Sequence, residues 1–157
     1  MPPSGTPIKL LILDDLLTTL AGINGGTAYY TTVAVATRVD TMPIDMGMYP
    51  AIILVPEGTN YDPPGQVTTL AIKGHMRVEA TLIVRTRSDA VVDLENFIRD
   101  VHKAILIDPT RGDLAIDTKL NSDEVFYPTD NEEPVAVAKL SIEIIYRTDR
   151  DNLNQAT

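Results

Sequence analysis

Met76-Arg-Val-Glu-Ala-Thr-Leu-Ile-Val-Arg-Thr-Arg87 alternates along most of its length. Met76, Val78, Ala80, Leu82, Val84 and Thr86 fall on one side, and Arg77, Glu79, Thr81, Arg85 and Arg87 on the other. Successive side chains of a strand point to opposite faces, so this period of two predicts a half-buried strand. Ser88 and Asp89 follow, and Val91, Leu94, Ile98, Val101 and Ile105 then recur at spacings of three and four. That is the apolar stripe of a helix. Ser88 is read as its cap or near-cap, with Asp89 as competitor. A long strand feeding directly into an amphipathic helix is a core unit, and it holds no evident nucleophile, metal cluster or phosphate loop.

A second clear strand spans residues 135–147. Ala136, Ala138, Leu140, Ile142, Ile144 and Tyr146 share one face, while Lys139, Ser141, Glu143 and Arg147 lie on the other. Upstream, Thr6 reads as an N-cap with Pro7 at the first helical position. Ile8, Leu11, Ile12, Leu16 and Leu20 give that helix its stripe, and Gly22 ends it. Asn24-Gly25-Gly26 makes a turn. Residues 29–39, rich in Thr, Val and Tyr, predict a strand. Residues 42–48 read as irregular. The apolar run 50–55 predicts a short strand buried on both faces. A long loop is expected at 56–66, then a strand at 67–72, with Lys73-Gly74-His75 as a bend. Residues 108–112 break the chain after the helix. The acidic region 108–133 holds eight Asp or Glu, with short strands expected at 114–117 and 124–127. The expected class is α+β: a mixed, mostly antiparallel sheet with two helices on one face and long loops. Residues 1–148 form one domain, and 149–157 a polar tail expected to lack order.

The 157 residues carry a net charge of −9, and apolar types make up 44% of them. That is enough for a core, and an acidic chain is a poor sequence-independent duplex binder, which needs a basic footprint. The absence of cysteine excludes disulfides, thiolate metal sites and cysteine nucleophiles. The first residues lack the basic region of a signal peptide. The apolar run at 10–13 is far too short to span a membrane.

No catalytic, cofactor or metal site is expected. His75 and His102 have no third ligand at a recognisable spacing and read as surface histidines. No serine sits in a Gly-x-Ser-x-Gly elbow. Asp14 and Asp15 point about 100° apart on a helix, so they do not share a site. Glu132-Glu133 reads as a solvated turn. The glycines at 22–26 follow a helix, whereas a phosphate cradle needs to precede one. Arg111-Gly112-Asp113 spells an adhesion tripeptide, but three residues match by chance too easily, and here they serve a turn.

The outward faces of the two best strands are not cleanly polar. Ile83 sits among Arg77, Glu79, Arg85 and Arg87, and Ile145 between Glu143 and Arg147. Two readings stand: a surface that meets another subunit, or a face covered by the helix at 6–21.

Taken in order, the chain resembles the tail terminator proteins of long-tailed bacteriophages, the minor tail protein U type. The resemblance runs from about Ile8 to Thr148. It rests on the N-terminal helix, the strand at 50–55 with Pro56-Glu57-Gly58 and its loop, the strand–helix unit 77–106 with Asp108-Pro109-Thr110 after it, and the terminal strand 136–148. Related tail-completion and neck proteins share parts of this pattern. The resemblance implies a structural virion protein, not an enzyme, found at the head-proximal end of the tail and assembled in the host cytoplasm. Such a homo-hexameric ring caps the tail tube, stops its polymerisation and offers the head-joining surface. Its partners would be itself, the tube protein and a neck or head-completion protein. Genome DNA would pass through without specific binding, and no membrane is involved. On this reading Ile83, Arg85, Arg87, Ile145 and Arg147 contribute to subunit contacts, and Glu57, Asn60, Tyr61 and Asp62 form a loop reaching the tube or neck. The alternatives are another tail-completion or neck protein and, from a different class, a small ligand-binding or catalytic α+β domain.

Overall fold

The computed structural model describes residues 5–26, 28–38, 48–62, 71–86, 89–128 and 134–149. The elements run α1 (Ile8–Ala21), β1 (Val35–Arg38), β2 (Ala51–Tyr61), β3 (Ala71–Arg85), α2 (Ala90–Ile107), β4 (Asp117–Phe126) and β5 (Val135–Asp149). One five-stranded sheet has the order β1-β2-β3-β5-β4. Only β1 and β2 are parallel; the other pairs are antiparallel. The two strands legible from alternation, β3 and β5, are neighbours inside the sheet, paired from Ala71–Asp149 to Arg85–Val135. This is the expected α+β architecture.

The core is the inner face of that pair under both helices. Met76, Val78, Ala80, Leu82 and Val84 join Ala136, Ala138, Leu140, Ile142, Ile144 and Tyr146 in one cluster. Ile8, Ile12, Leu13, Leu16 and Leu20 of α1 and Leu94, Phe97, Ile98, Val101, Ala104 and Ile105 of α2 belong to the same cluster. Both helices therefore cover one face, and α1 does not cover the other. The predicted stripes hold in the main, with Phe97 and Ala104 added to the buried side of α2. Leu13 joins α1's buried side, and Val91 in the first turn of α2 is 51% exposed while Ala90 packs against the core.

Several boundaries differ, each for a local reason. The cap of α1 is Pro7, without a side-chain cap bond. The cap of α2 is Asp89, which accepts from the N–H groups of Val91 and Val92; Ser88 lies outside the described residues. The strand expected at 29–39 shrinks to β1. Asp100, buried on α2, accepts from the Tyr30 and Thr31 N–H groups at 2.8 and 2.7 Å, so those donors serve the helix instead of a ladder. Lys103 Nζ donates to the Ala28 carbonyl at 2.6 Å, and Arg99 stacks on the Tyr30 ring. In place of the short strands expected at 114–117 and 124–127 stands one strand, β4, which begins only at Asp117 and pairs with β5 from Asp117–Ile145 to Phe126–Val137; Leu114–Ile116 are turn and bend before it. β5 extends through Asp149, two residues past the expected strand end. The expected strand at 67–72 is described only from Ala71. The irregular segment 42–48 falls outside the described residues except Met48, as do Glu132-Glu133 and the tail beyond Asp149.

The expected bend at 73–75 is continuous strand. Gly74 belongs there because the Tyr146 ring lies against its backbone: a Cβ at 74 would meet ring atoms at 2.8–2.9 Å. Gly74→Ala is expected to cost about 1–3 kcal/mol through overpacking. Urea unfolding should show a lowered midpoint at unchanged slope.

β2 continues through Pro56, where a loop was expected. Among the described residues β1 pairs only with Ala51–Leu54, so beyond Leu54 one side of the described β2 is an edge, where a missing N–H is tolerated. The register shifts between Pro56 and Gly58, and Gly58 sits at φ +127, a conformation L side chains rarely adopt. This bulge swaps the faces of β2. Ile52 and Leu54 point into the core before it. After it Thr59 stands opposite Met76 and Tyr61 opposite Gly74 on the core side, while Asn60 stands opposite His75 on the outer side.

Candidate functional site

The outer face of the sheet follows directly from register. At one end, Ile83 pairs with Ala51 and Val137, and Arg85 with Val135. At the other, Ile145 lies between His75 and Asp117, and Arg147 beside Lys73. The two ends are eight residues apart along β3, about 27 Å at the rise of a strand. The residues singled out in the sequence thus share a face but form two groups.

Ile83 is half-buried, and Arg85 and Arg147 are exposed. Ile145 is corrected: only 6% of it is exposed. It sits on an inner strand, flanked in register on both sides, and so offers little surface to a partner. Arg87 lies outside the described residues.

The loop group is also redistributed. Glu57 is exposed at the β2 bulge, Asn60 faces outward, and Tyr61 turns to the core-side edge. There Lys9 Nζ sits 5.4 Å from the Tyr61 ring centroid. Hydrogen bonding to Tyr146, then Lys9, pulls the Tyr61 phenol below its ordinary range. Burial, then Tyr61, pushes that of Tyr146 up. These four residues therefore belong mainly to a strand and its end, not to a free loop.

Asp62 leads to a feature the sequence reading missed. His75 Nε2 lies 2.9 Å from Asp62 Oδ1 and its Nδ1 lies 3.1 Å from Glu143 Oε1. Lys73 Nζ stands 3.8 Å from the other oxygen of Asp62. The imidazole thus links the end of β2 to β5 across β3. Nothing in the local sequence connects residues 62, 75 and 143; only the register does. His102 is half-buried beside a depression of about 140 Å³ that Leu120 and Asn121 also line.

The acidic stretch after α2 contains a buried cation. Arg111 has no exposed surface. Its guanidinium donates to the Ile105 carbonyl at 2.5 Å, to the Asp108 carbonyl and to Thr19 Oγ1 at 3.3 Å. It also pairs with Asp15 at 3.5 Å. Burial pulls it below its ordinary value, against which the charges of Asp15 and Asp108 act. The Asp108 carboxylate organises the turn, accepting from the Thr110 hydroxyl and N–H and from Gly112 N–H. Those bonds, Thr110's first, hold it below the usual carboxylate range. An adhesion role for 111–113 falls, because the arginine is internal. Asp14 and Asp15 diverge as expected: Asp14 approaches Arg38 at 3.9 Å and Asp15 meets Arg111.

Among the described residues, no group of three or more His, Asp or Glu is placed to hold a metal ion. A shallow depression of about 110 Å³ on the outer face is lined by Glu57, Glu79, Asp123 and Glu124, with Lys139 and Ser141 among them. Among the described residues, no helix is long and apolar enough to cross a membrane.

Fold and site together define an α+β protein with both helices on one face of its sheet; on the other face Ala51, Ile53 and Ile145 are buried, Ile83 is half-buried, and charges of both signs stand around them. Comparison with protein-family models finds no match, and neither does a search of curated proteins.

Proposed function

We propose that this chain is a structural subunit of a long-tailed bacteriophage, which assembles as a homo-hexameric ring on the end of the tail tube. There it stops tube polymerisation and presents the surface for head joining. The observation that carries the proposal is the outer sheet face. Both helices pack on the opposite side, leaving half-buried Ile83 and exposed Arg85 and Arg147 on a broad, rigid surface. Half-buried Ile83 with exposed Arg85 beside it is suited to contact with copies of the chain, and heterologous contacts that close produce rings. The order of elements it shares with tail terminators supports the same reading.

The test is tube growth. Purified protein added to polymerising tail-tube subunits should arrest elongation, giving short tubes of fixed length in electron micrographs. Ile83→Asp should keep the circular dichroism of the wild type yet lower the apparent affinity for tube ends by about tenfold or more, equivalent to 1.4 kcal/mol or more. Tubes that grow to the same length with and without the protein would overturn the reading.

A further inference from the structure

We infer that the free edge of β4 is a docking site for an extended, basic segment of another protein, which adds to the sheet as a sixth strand. β4 ends the sheet order, and among the described residues no strand pairs with its other side. An antiparallel partner takes up only half of a strand's N–H and C=O groups, so the rest of β4 faces outward. At its start the edge is closed by the chain itself: the Thr118 N–H donates to Asp117 Oδ1 at 2.9 Å, and the Thr118 hydroxyl to the Pro109 carbonyl at 2.7 Å. From Lys119 to Phe126, six of the eight residues are exposed, enough for a strand of ordinary length to pair there.

The bulge gives this edge two receptive faces. Leu120 pairs with Ile142 and Ser122 with Ser141, so Asn121 is left over. A depression opens on each side of that point, and Ser122 and Asp123 border both. The outer one, about 110 Å³, brings Glu57, Glu79 and Glu124 beside Asp123, with Lys139 as the one cation in its lining. The inner one, about 140 Å³, lies between β4 and α2, with His102 and buried Leu140 in its lining. Leu106, one turn beyond His102 on the same side of α2, is 56% exposed. Successive side chains of an added strand point to the two faces in turn. Main-chain bonds then supply affinity, and the two depressions supply specificity. A basic side chain meets the outer carboxylates, and an apolar one meets Leu106 and the inner depression.

Charge selects the occupant. β4 itself carries Asp117, Asp123 and Glu124 against Lys119. A bulge and charged side chains keep an edge from pairing indiscriminately. Here the carboxylates repel acidic strands, the β4 of a second copy among them, and a basic strand meets them as partners. The stretches of this chain outside the described residues carry six carboxylates against Arg87 and Arg150, so they do not supply that strand. The inference goes beyond the ring reading and does not rest on it, since the surface is the sheet margin and not the Ile83 face.

The test is binding of a labelled synthetic peptide of alternating lysine and valine to the full chain, followed by fluorescence anisotropy. The peptide should bind, and replacing its lysines by glutamate should weaken binding at least about tenfold. Methylating every backbone nitrogen keeps charge and side chains but removes the ladder donors; it should weaken binding as much, and equal binding would overturn strand addition. Asp123→Lys should also weaken binding at least about tenfold. Asp14→Lys, the same charge change on α1 near Arg38, should match the wild type. Circular dichroism of each variant confirms folding. Hydrogen exchange needs no variant: the peptide should slow amides within 119–126 and spare those of β1. Protection confined to other strands, no binding at about 1 mM peptide, or a wild type that sediments as a dimer with its β4 amides already protected, would overturn the inference. The two proposals fail separately. Peptide binding with tubes that grow unchecked removes only the cap, and arrested tubes with a peptide that does not bind remove only the edge site.

Discussion

Arg111→Ala is expected to lower folding stability by about 3–5 kcal/mol, the usual cost of removing one member of a buried ion pair. The guanidinium is fully buried and answers several acceptors at once. The carbonyls of Ile105 and Asp108 lie at the C-terminal end of α2, where the last four carbonyls of a helix have no internal partner. The carboxylate of Asp15 and the hydroxyl of Thr19 bring α1 to the same point. Alanine would leave those acceptors without a donor and open a void between the two helices. Arg111→Lys should recover only part of the loss, since one ammonium cannot span acceptors arranged for a planar fork. Guanidinium chloride unfolding followed by far-ultraviolet circular dichroism measures both. A variant within 1 kcal/mol of the wild type would show that the buried arginine is not what joins α1, α2 and the following turn.

The second large effect is expected at Asp100. Its Oδ2 accepts two backbone N–H groups, those of Tyr30 and Thr31, from a segment that lacks ladder partners there. Bonds to an ionised acceptor contribute about 1.5–3 kcal/mol each, and a donor left unsatisfied carries its desolvation cost. Asp100→Ala should therefore destabilise by about 3–5 kcal/mol. Asp100→Asn should lose less, because the amide oxygen can still accept. Hydrogen exchange discriminates further: in Asp100→Ala the Tyr30 and Thr31 amides should exchange much faster while those of β3 and β5 stay protected. Uniform loss of protection would mean that the segment is not anchored locally.

Periodicity made the centre of the fold legible. The alternation at 76–86 and 136–146 fixed which side chains of β3 and β5 enter the core, and the helical stripes fixed most of α1 and α2. Features that depend on contacts between distant residues were not legible. Tyr29–Thr32 has the composition of a strand, but the N–H groups of Tyr30 and Thr31 are taken by a carboxylate some 70 positions away. Pro56 and Gly58 look like loop residues, yet an edge and a bulge accommodate both within β2. Gly74 looks like a bend until the ring of Tyr146 is placed over it. Ile145 looks exposed by parity, but its register position buries it.

The candidate interface was half legible for the same reason. Ile83 stands out among charges within its own strand. Its register partners Ala51 and Val137 do not, because no local pattern reveals that they stand beside it; the pairing of β2 and of β5 with β3 does. The separation of Ile83 and Arg85 from Ile145 and Arg147 to opposite ends of the sheet is likewise invisible until the register is known.

The central claim is tested most directly by electron microscopy of the purified chain mixed with preformed tail tubes. The expected result is a six-fold ring seated on one end of each tube. Its axial hole should be roughly 20 Å or wider, as passage of duplex DNA requires. Tubes with bare ends at saturating protein, or a bound assembly with a closed centre, would contradict it.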